Sequence, residues 1–262
     1  MNKVLAIVVA YNNPILLAKC LDSLMSQTYT DIDIVVVDNS DNTESLDLCI
    51  SGEPNIGYHS SGDNLFWTGG LNAGLGYLTY QHQYFLTLNQ DIALAPTTVE
   101  TLIREIERLP DSAYAIAPTG YGMGGQQDHI ATRNSNPERV NYLIGACVMY
   151  KSKVIPEIGR FDESMKLGAD DFDYSLRMRE EGKSLWIYES EPIVHHAHST
   201  GDSENWNTVG QESWNAFNAK YDGYFKDEEE AIGGLWDCVY KDKYPTGTGL
   251  SNEEKRNRGI KR

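Results

Sequence analysis

This chain has no paired or clustered cysteines. Cys20, Cys49, Cys147 and Cys238 are scattered and form no C-x-x-C unit. That excludes a disulfide framework and a closed zinc site, and it fits a reducing compartment. No apolar run approaches the length of a membrane span. The opening run, residues 4–10, is too short for a secretory signal with a cleavage site, and Tyr11-Asn12-Asn13-Pro14 ends it as a strand ends. A cytoplasmic protein with no transmembrane segment is the expectation. Cationic charge is also scarce. Lys and Arg number 22 against 38 Asp and Glu, a net charge of −16. Residues 241–262 hold seven basic and three acidic side chains, so this end carries +4 and the rest of the chain −20. A body this acidic repels nucleic acid and anionic lipid surfaces, and neither is expected as a partner. An anionic substrate then needs a local cation, which a divalent metal supplies.

What is present is a βαβ rhythm. Residues 4–10 and 32–37 are continuous β-branched runs, the mark of parallel strands covered on both faces. Pro14 opens a helix to about residue 27, a short helix covers 43–50, and 55–60 form a weaker strand. The alternation argues for a doubly wound sheet with right-handed crossovers. A glycine-rich stretch, Asn64 to Gly74, then turns from loop into a helix over 71–81. Its glycines serve either backbone approach to an anion or sugar, or tight helix packing. Tyr84-Phe85-Leu86-Thr87-Leu88 reads as the central strand, breaking into the polar tip Asn89-Gln90-Asp91. In open α/β sheets ligands bind at such C-terminal strand edges, although an acid there can also cap the next helix.

A helix begins near residue 96 and runs to 109, and residues 114–117 form the fifth strand. Residues 120–137 form a polar, glycine-rich loop whose length suggests a functional lid or disorder. Beyond it the pattern predicts a strand over 142–151, a turn at 159–163 and a helix over 169–182. Short strands at 184–188 and 192–196 and an aromatic helix over 207–226 follow. From residue 244 onward the composition is that of a frayed terminus.

Two polar constellations stand out. Asp170-Asp171-Phe172-Asp173 places three acids in a first helical turn, more than the helix dipole calls for. Their repulsion has to be offset by a metal or by a sugar's hydroxyls. A base at that position works by placement rather than by a raised pKa. In His195-His196-Ala197-His198, strand parity puts His196 and His198 on one face and His195 on the other. One of them can join Asp91 on a divalent ion such as Mn²⁺. Read jointly, these groups suit sugar transfer from a nucleoside diphosphate, with the metal neutralising the leaving diphosphate and an acid taking the acceptor proton.

From about residue 4 to 199 the chain resembles family 2 of the nucleotide-sugar glycosyltransferases, whose fold is GT-A. Ile7-Val8-Val9-Ala10-Tyr11-Asn12 is similar to the family's first strand and nucleotide-facing turn, and Val35-Val36-Val37-Asp38-Asn39-Ser40 to its second-strand motif. Asn64 to Gly74 resembles the glycine-rich pattern of the rhamnosyl- and galactofuranosyltransferase-like branch, and Leu88-Asn89-Gln90-Asp91 that branch's Asp-x-Asp variant. Gly145-Ala146-Cys147, then Gly159-Arg160-Phe161-Asp162-Glu163, then Asp170 to Arg177 run in the family's order. Departures are Asp170 where the family usually has Glu, Leu65 where it has Gly, and no Arg-Asn pair near Lys220-Tyr221.

The resemblance implies a single α/β GT-A domain over residues 1–240, with a mostly parallel central sheet flanked by helices. Residues 1–117 would be its nucleotide-sugar half, 140–240 its acceptor half, and 241–262 a basic tail. It implies Asp171 as catalytic base of an inverting transfer, and a donor site from Ala10, Tyr11, Asn12, Asp38, Asn64, Trp67, Gly69, Gly70, Asn72, Asn89, Gln90 and Asp91. For the metal, Mn²⁺ or Mg²⁺, it implies Asp91 with His195 in preference to His196 or His198. On the acceptor side Asp170, Trp206 and Trp214 are candidates, the tryptophans for stacking on sugars or equally for the core. A UDP- or dTDP-linked sugar and a glycan acceptor are the expected partners. The rivals are a sugar-1-phosphate nucleotidyltransferase, disfavoured because Tyr11-Asn12-Asn13-Pro14 holds no cation, and a non-catalytic sugar-binding module.

Overall fold

The computed structural model describes residues 2–42, 44–51, 56–129, 136–196 and 203–221. The basic tail, the expected boundary at 240 and His198 lie outside them, as does the side chain of Trp206.

Strand β1 (Lys3–Ala10) forms the spine. It pairs in parallel with β2 (Ile32–Asp38) on one side and β4 (His82–Asn89) on the other, and β2 pairs in parallel with β3 (Ile56–Ser60). The uninterrupted apolar run of β1 has a direct cause. Val4, Ala6, Val8 and Ala10 pack against Leu17, Cys20, Leu21 and Leu24 of helix α1 (Pro14–Met25) and Val99, Leu102 and Ile106 of α4 (Thr98–Arg108). Leu5, Ile7 and Val9 face the opposite way, toward Leu71 and Leu75 from α3 (Phe66–Gly74) and the turn after it, and toward Tyr174 and Met178 of α6 (Asp170–Glu180). Both faces are core, so no polar residue alternates in. Asn13 caps α1, its side chain accepting from the Leu16 N–H at 3.1 Å, with Pro14 in the first turn. Helix α2 (Glu44–Ser51) completes the first crossovers.

Beyond β4 the sheet becomes mixed. Strand β8 (Cys147–Lys151) runs antiparallel between β4 and β6 (Ala113–Tyr121). Strand β9 (Ser184–His195) runs parallel to β6 and also pairs antiparallel with the short β5 (Ile92–Ala93) and β7 (Glu138–Val140). The sheet order is β3-β2-β1-β4-β8-β6-β9-β5. The α/β architecture therefore holds, with its parallel pairing concentrated in the first half.

Several local expectations are corrected. The helix expected from residue 71 starts at Phe66, so Gly69 and Gly70 lie inside it. The strand expected over 142–151 begins at Cys147, because the apolar residues before it fill a buried turn and not a ladder. The two strands expected after residue 184 are one, interrupted by a bulge. Within the loop expected over 120–137, residues up to 129 fold into a compact turn. Helix α5 (Val154–Ile158) and strand β7 were not anticipated. Helix α7 (Ser203–Lys220) lays Trp214 and Phe217 against Phe172 and Leu176 of α6 as a third core. Among the described residues no helix is long and apolar enough to cross a membrane.

Candidate active site

The polar residues converge where β1, β2 and β4 deliver their C-terminal ends. Asp91, 4% exposed, follows β4 and sits just before β5. The register Ile92↔His195 brings the last residue of β9 beside it, and His195 Nε2 lies 3.3 Å from Asp91 Oδ1. The imidazole is fixed from behind, with Nδ1–H donating to the Gly122 carbonyl at 3.0 Å. A carbonyl can only accept, so the neutral ring keeps its lone pair on Nε2, where the Asn89 amide donates at 3.3 Å. A lone pair and a carboxylate oxygen facing each other call for a proton or a cation between them. This donor set, one imidazole nitrogen and one carboxylate with the ring's other nitrogen committed, fits a divalent metal. Among the described residues no three His, Cys, Asp or Glu side chains converge as a metal cage, so the donors those residues offer here are this pair. His196 presents its backbone N–H to the Asp91 carbonyl at 3.0 Å, and its side chain is exposed.

Asn12 sits at φ 46°, its N–H bonded to Ser40 Oγ at 2.8 Å, which turns the chain after Ala10 and Tyr11 toward β2. Asp38, 1% exposed, accepts from Tyr58 Oη at 2.8 Å and from the Ser40 N–H at 3.0 Å. Burial and this bond push the Tyr58 hydroxyl up to about 12. Gln90 is a clamp. Its amide donates to the Tyr11 carbonyl at 2.6 Å and accepts from the Tyr11 N–H at 3.1 Å, tying the tip of β4 to the end of β1. Asn72 is likewise committed to structure. It accepts from the Phe161 N–H at 3.1 Å and donates to the Phe161 carbonyl at 2.9 Å and to Glu163 at 2.8 Å, joining the glycine-rich helix to the turn at 159–163.

Gly69 and Gly70 serve packing. A Cβ on Gly70 would stand 2.8 Å from Val9 Cγ1, and one on Gly69 3.0 Å from Leu65 Cβ. Asn64 forms an Asx turn, accepting from the Phe66 N–H at 2.8 Å, and Phe66 sits at φ 58°. Trp67 is half-buried, and the open backbone of Gly145 brings it near Asp171. A Cβ on Gly145 would lie 3.4 Å from Trp67 Nε1 and 3.7 Å from Asp171 Cβ. Gly145 is tied in turn to β4, because Thr87 Oγ1 donates to its carbonyl at 3.2 Å and the Asn89 N–H bonds the Ala146 carbonyl at 2.9 Å. The base candidate and the metal candidate thus share one edge through a short chain of backbone contacts.

The three acids of α6 have separate surroundings. Asp173, fully buried, is held by Arg177 Nε at 2.8 Å, Lys220 Nζ at 2.8 Å and Tyr221 Oη at 2.8 Å. Much of the expected repulsion is thus offset by the protein's own cations. Asp170 is 4% exposed, and burial, followed by the charges of Asp171 and Asp173, pushes its carboxyl well above the usual carboxylate range. Asp171 is half-buried, and its Oδ1 accepts from the Phe172 N–H at 2.9 Å. Trp214 is 4% exposed and packs at 5.5 Å on Phe172 and on Phe217, so the core alternative is the one its packing supports. Tyr121, 55% exposed at the end of β6, is the aromatic that lies open beside Gly122 and His195. Sequence reading placed Gly145 and Asn39 in family-like motifs without their contacts, and it singled out neither Tyr121 nor Gly122. Asn39 holds the Leu65 N–H at 3.1 Å and the Phe66 carbonyl at 2.9 Å.

Compared with known proteins, residues 5–179 match the family described as glycosyl transferase family 2. An uncharacterized glycosyltransferase of Rickettsia prowazekii is 25% identical over 229 residues, covering 80% of this chain and 70% of that protein. The N-acetylglucosaminyl-diphospho-decaprenol L-rhamnosyltransferase of Mycobacterium tuberculosis is 23% identical over 225 residues, 71% of this chain and 73% of the relative. Among solved structures, a mannosyltransferase from Pyrobaculum calidifontis in complex with GDP-Man and Mn²⁺ superposes with a TM-score of 0.64 at 15% identity. That match covers 83% of this chain and 63% of the other, so the chain spans under two thirds of that structure. At such identity the likeness is one of fold.

Proposed function

Because this chain belongs to glycosyl transferase family 2 and has the GT-A fold, we propose that it is a metal-dependent, inverting hexosyl- or deoxyhexosyltransferase. It would move a sugar from a nucleoside-diphosphate donor to a hydroxyl of a glycan acceptor. The observation that carries this reading is the Asp91–His195 pair, 3.3 Å apart, with Asp171 of α6 near Gly145, where an added Cβ would lie 3.7 Å from Asp171 Cβ. Asp91 and His195 would hold Mn²⁺ or Mg²⁺, with diphosphate oxygens and water as the other ligands. When bound, such an ion supplies charge neutralisation to the departing diphosphate.

The chain's own groups carry the rest. The ends of β1 and β2, with Ala10, Tyr11, Asn12 and Asp38, would receive the base and ribose. Gln90 holds that turn against the tip of β4 and would so set the nucleotide end of the site relative to Asp91. Asp171 would take the proton of the acceptor hydroxyl as its oxygen bonds to the anomeric carbon and the bond to the diphosphate breaks. One displacement of this kind inverts the carbon and needs no enzyme nucleophile. Residues 1–117 would then form the donor half and 140–240 the acceptor half. The name of the mycobacterial relative, a rhamnosyltransferase acting on N-acetylglucosaminyl-diphospho-decaprenol, supports a deoxyhexose as the sugar moved, and a UDP- or dTDP-linked donor would carry it. Tyr121 and Trp67 are the accessible rings on which an acceptor or donor sugar would stack.

The test is nucleotide-sugar hydrolysis and transfer with Mn²⁺. Asp171→Asn should lower turnover by about 10²–10⁴-fold while nucleotide binding, read by thermal shift, survives. A non-catalytic sugar-binding module predicts no hydrolysis in the wild type and no difference in the variant. Wild-type turnover in Asp171→Asn would refute the assigned base.

A further inference from the structure

Between Pro118↔Tyr188 and Gly120↔Ile193 the pairing of β6 with β9 slips, leaving Thr119 opposite residues 189–192. That bulge turns Glu189 inward, where it is 7% exposed, and its carboxylate pairs with Nδ1 of His129. A buried carboxylate in an already acidic protein adds little stability of its own; hydrogen-bonded to a neighbour, it fixes geometry. What it fixes here is the segment 120–129. The His129 N–H returns to the Gly120 carbonyl at 2.8 Å, and the Gly124 N–H bonds Asp128 Oδ1 at 2.7 Å, closing the segment on itself.

Gln127, 1% exposed, clamps the backbone of Ile144 from the same segment, donating to its carbonyl at 3.4 Å and accepting from its N–H. At the inner side of the loop Gly122 adopts φ +76°, and a Cβ there would meet the His195 carbonyl at 2.5 Å. Only a glycine lets the loop lie this flat against β9. The same Gly122 carbonyl receives His195 Nδ1–H.

We infer that the His129–Glu189 pair is a positioning device for the metal-binding histidine, acting through the closed loop 120–129 and the Gly122 carbonyl to hold His195 Nε2 toward Asp91. Neither residue is assigned as a ligand of the metal. This rests on the reading of Asp91 and His195 as metal ligands. Outer partners that orient a ligating histidine typically govern metal affinity by about 10–100-fold. The loop also links the two ends of the edge, since Gln127 holds Ile144 next to Gly145, against which Asp171 packs.

The experiment titrates Mn²⁺ into the full chain by electron paramagnetic resonance, alone and with UDP. Variants are Glu189→Gln, Glu189→Asp, His129→Phe and Asp91→Asn. Glu189→Gln and His129→Phe should each weaken Mn²⁺ binding about tenfold or more, with metal-free UDP binding unchanged. Glu189→Asp, which keeps the charge, should recover most of the affinity. His129 is 20% exposed and phenylalanine keeps its ring against Tyr121, whereas Glu189→Gln keeps a hydrogen-bonding group without the charge; a thermal melt of each variant, read beside its Mn²⁺ affinity, separates lost folding from lost positioning. Wild-type Mn²⁺ affinity in both variants, alongside loss in Asp91→Asn, would overturn the positioning role and leave the metal site standing. No Mn²⁺ binding by the wild type, with or without UDP, would overturn the metal site and this inference with it.

Discussion

Gly70→Ala separates two meanings of the glycine-rich helix. In a helix interior, glycine to alanine ordinarily gains roughly 0.8–1 kcal/mol. Here the new methyl would stand 2.8 Å from Val9 Cγ1 and 3.2 Å from Val9 Cγ2, inside a packed interface between α3 and β1. Overpacking of this kind costs about 1–3 kcal/mol, so the net change should be a loss of up to about 2 kcal/mol. In a Val9→Ala background both clashing carbons are gone. The same substitution should then stabilise by up to about 1 kcal/mol, the propensity gain alone. Urea unfolding of the four proteins, with slopes compared to confirm two-state behaviour, measures this coupling. A stabilising Gly70→Ala in the wild-type background, or additive changes, would refute the packing account. In that event, a weakened UDP affinity at unchanged stability would point to backbone approach by the ligand.

Asp170→Asn should stabilise the fold at neutral pH and lower activity. The folded carboxyl lies well above its unfolded value because of burial and the nearby Asp171 and Asp173 charges, so ionisation favours the unfolded chain. The gain should therefore vanish near pH 3, where both states are protonated, and grow as pH rises past about 4; melting curves across pH 3–8 check it. Lys220→Met should cost about 1–3 kcal/mol by urea unfolding. This falls below the full effect of breaking a buried pair, because Arg177 and Tyr221 remain on Asp173 and the ammonium is partly in water. Burial opposes the charge on Asp162, but the bonds from Lys220 and Ser164 outweigh it and bring the carboxyl down to about 2. Its share of stability is present above pH 4 and lost as pH falls through about 2, so the deficit of the variant should shrink over that range.

The parallel half of the sheet was legible because its physics is local. An apolar run buried on both faces admits no alternation, so β1 and β2 announce themselves. The start of α3 was not legible, since Gly69-Gly70 reads as a breaker until β1 is seen close enough to require a missing side chain. Pro192 and the acids before it split β9 into two strands on paper, whereas the structure absorbs them in a bulge. Strand parity separated His195 from His196 and His198 without choosing between the faces. The choice is made by the Ile92↔His195 register with β5, a long-range pairing that no local pattern encodes. Asp173 read as a surplus acid because its cations, Arg177 and Lys220, come from the far end of its own helix and from α7.

That same Ile92↔His195 register has a consequence during synthesis. A nascent chain emerging from the ribosome completes β1, β2 and β4 early, and Asp91 is exposed at their edge long before the strand that bears His195 has been translated. Until that late strand docks, the growing polypeptide holds half of the proposed Asp91–His195 metal site. A product truncated before β9 would therefore lack the proposed histidine ligand, which makes the docking of that strand, rather than the folding of the parallel half, the step that arms the proposed site.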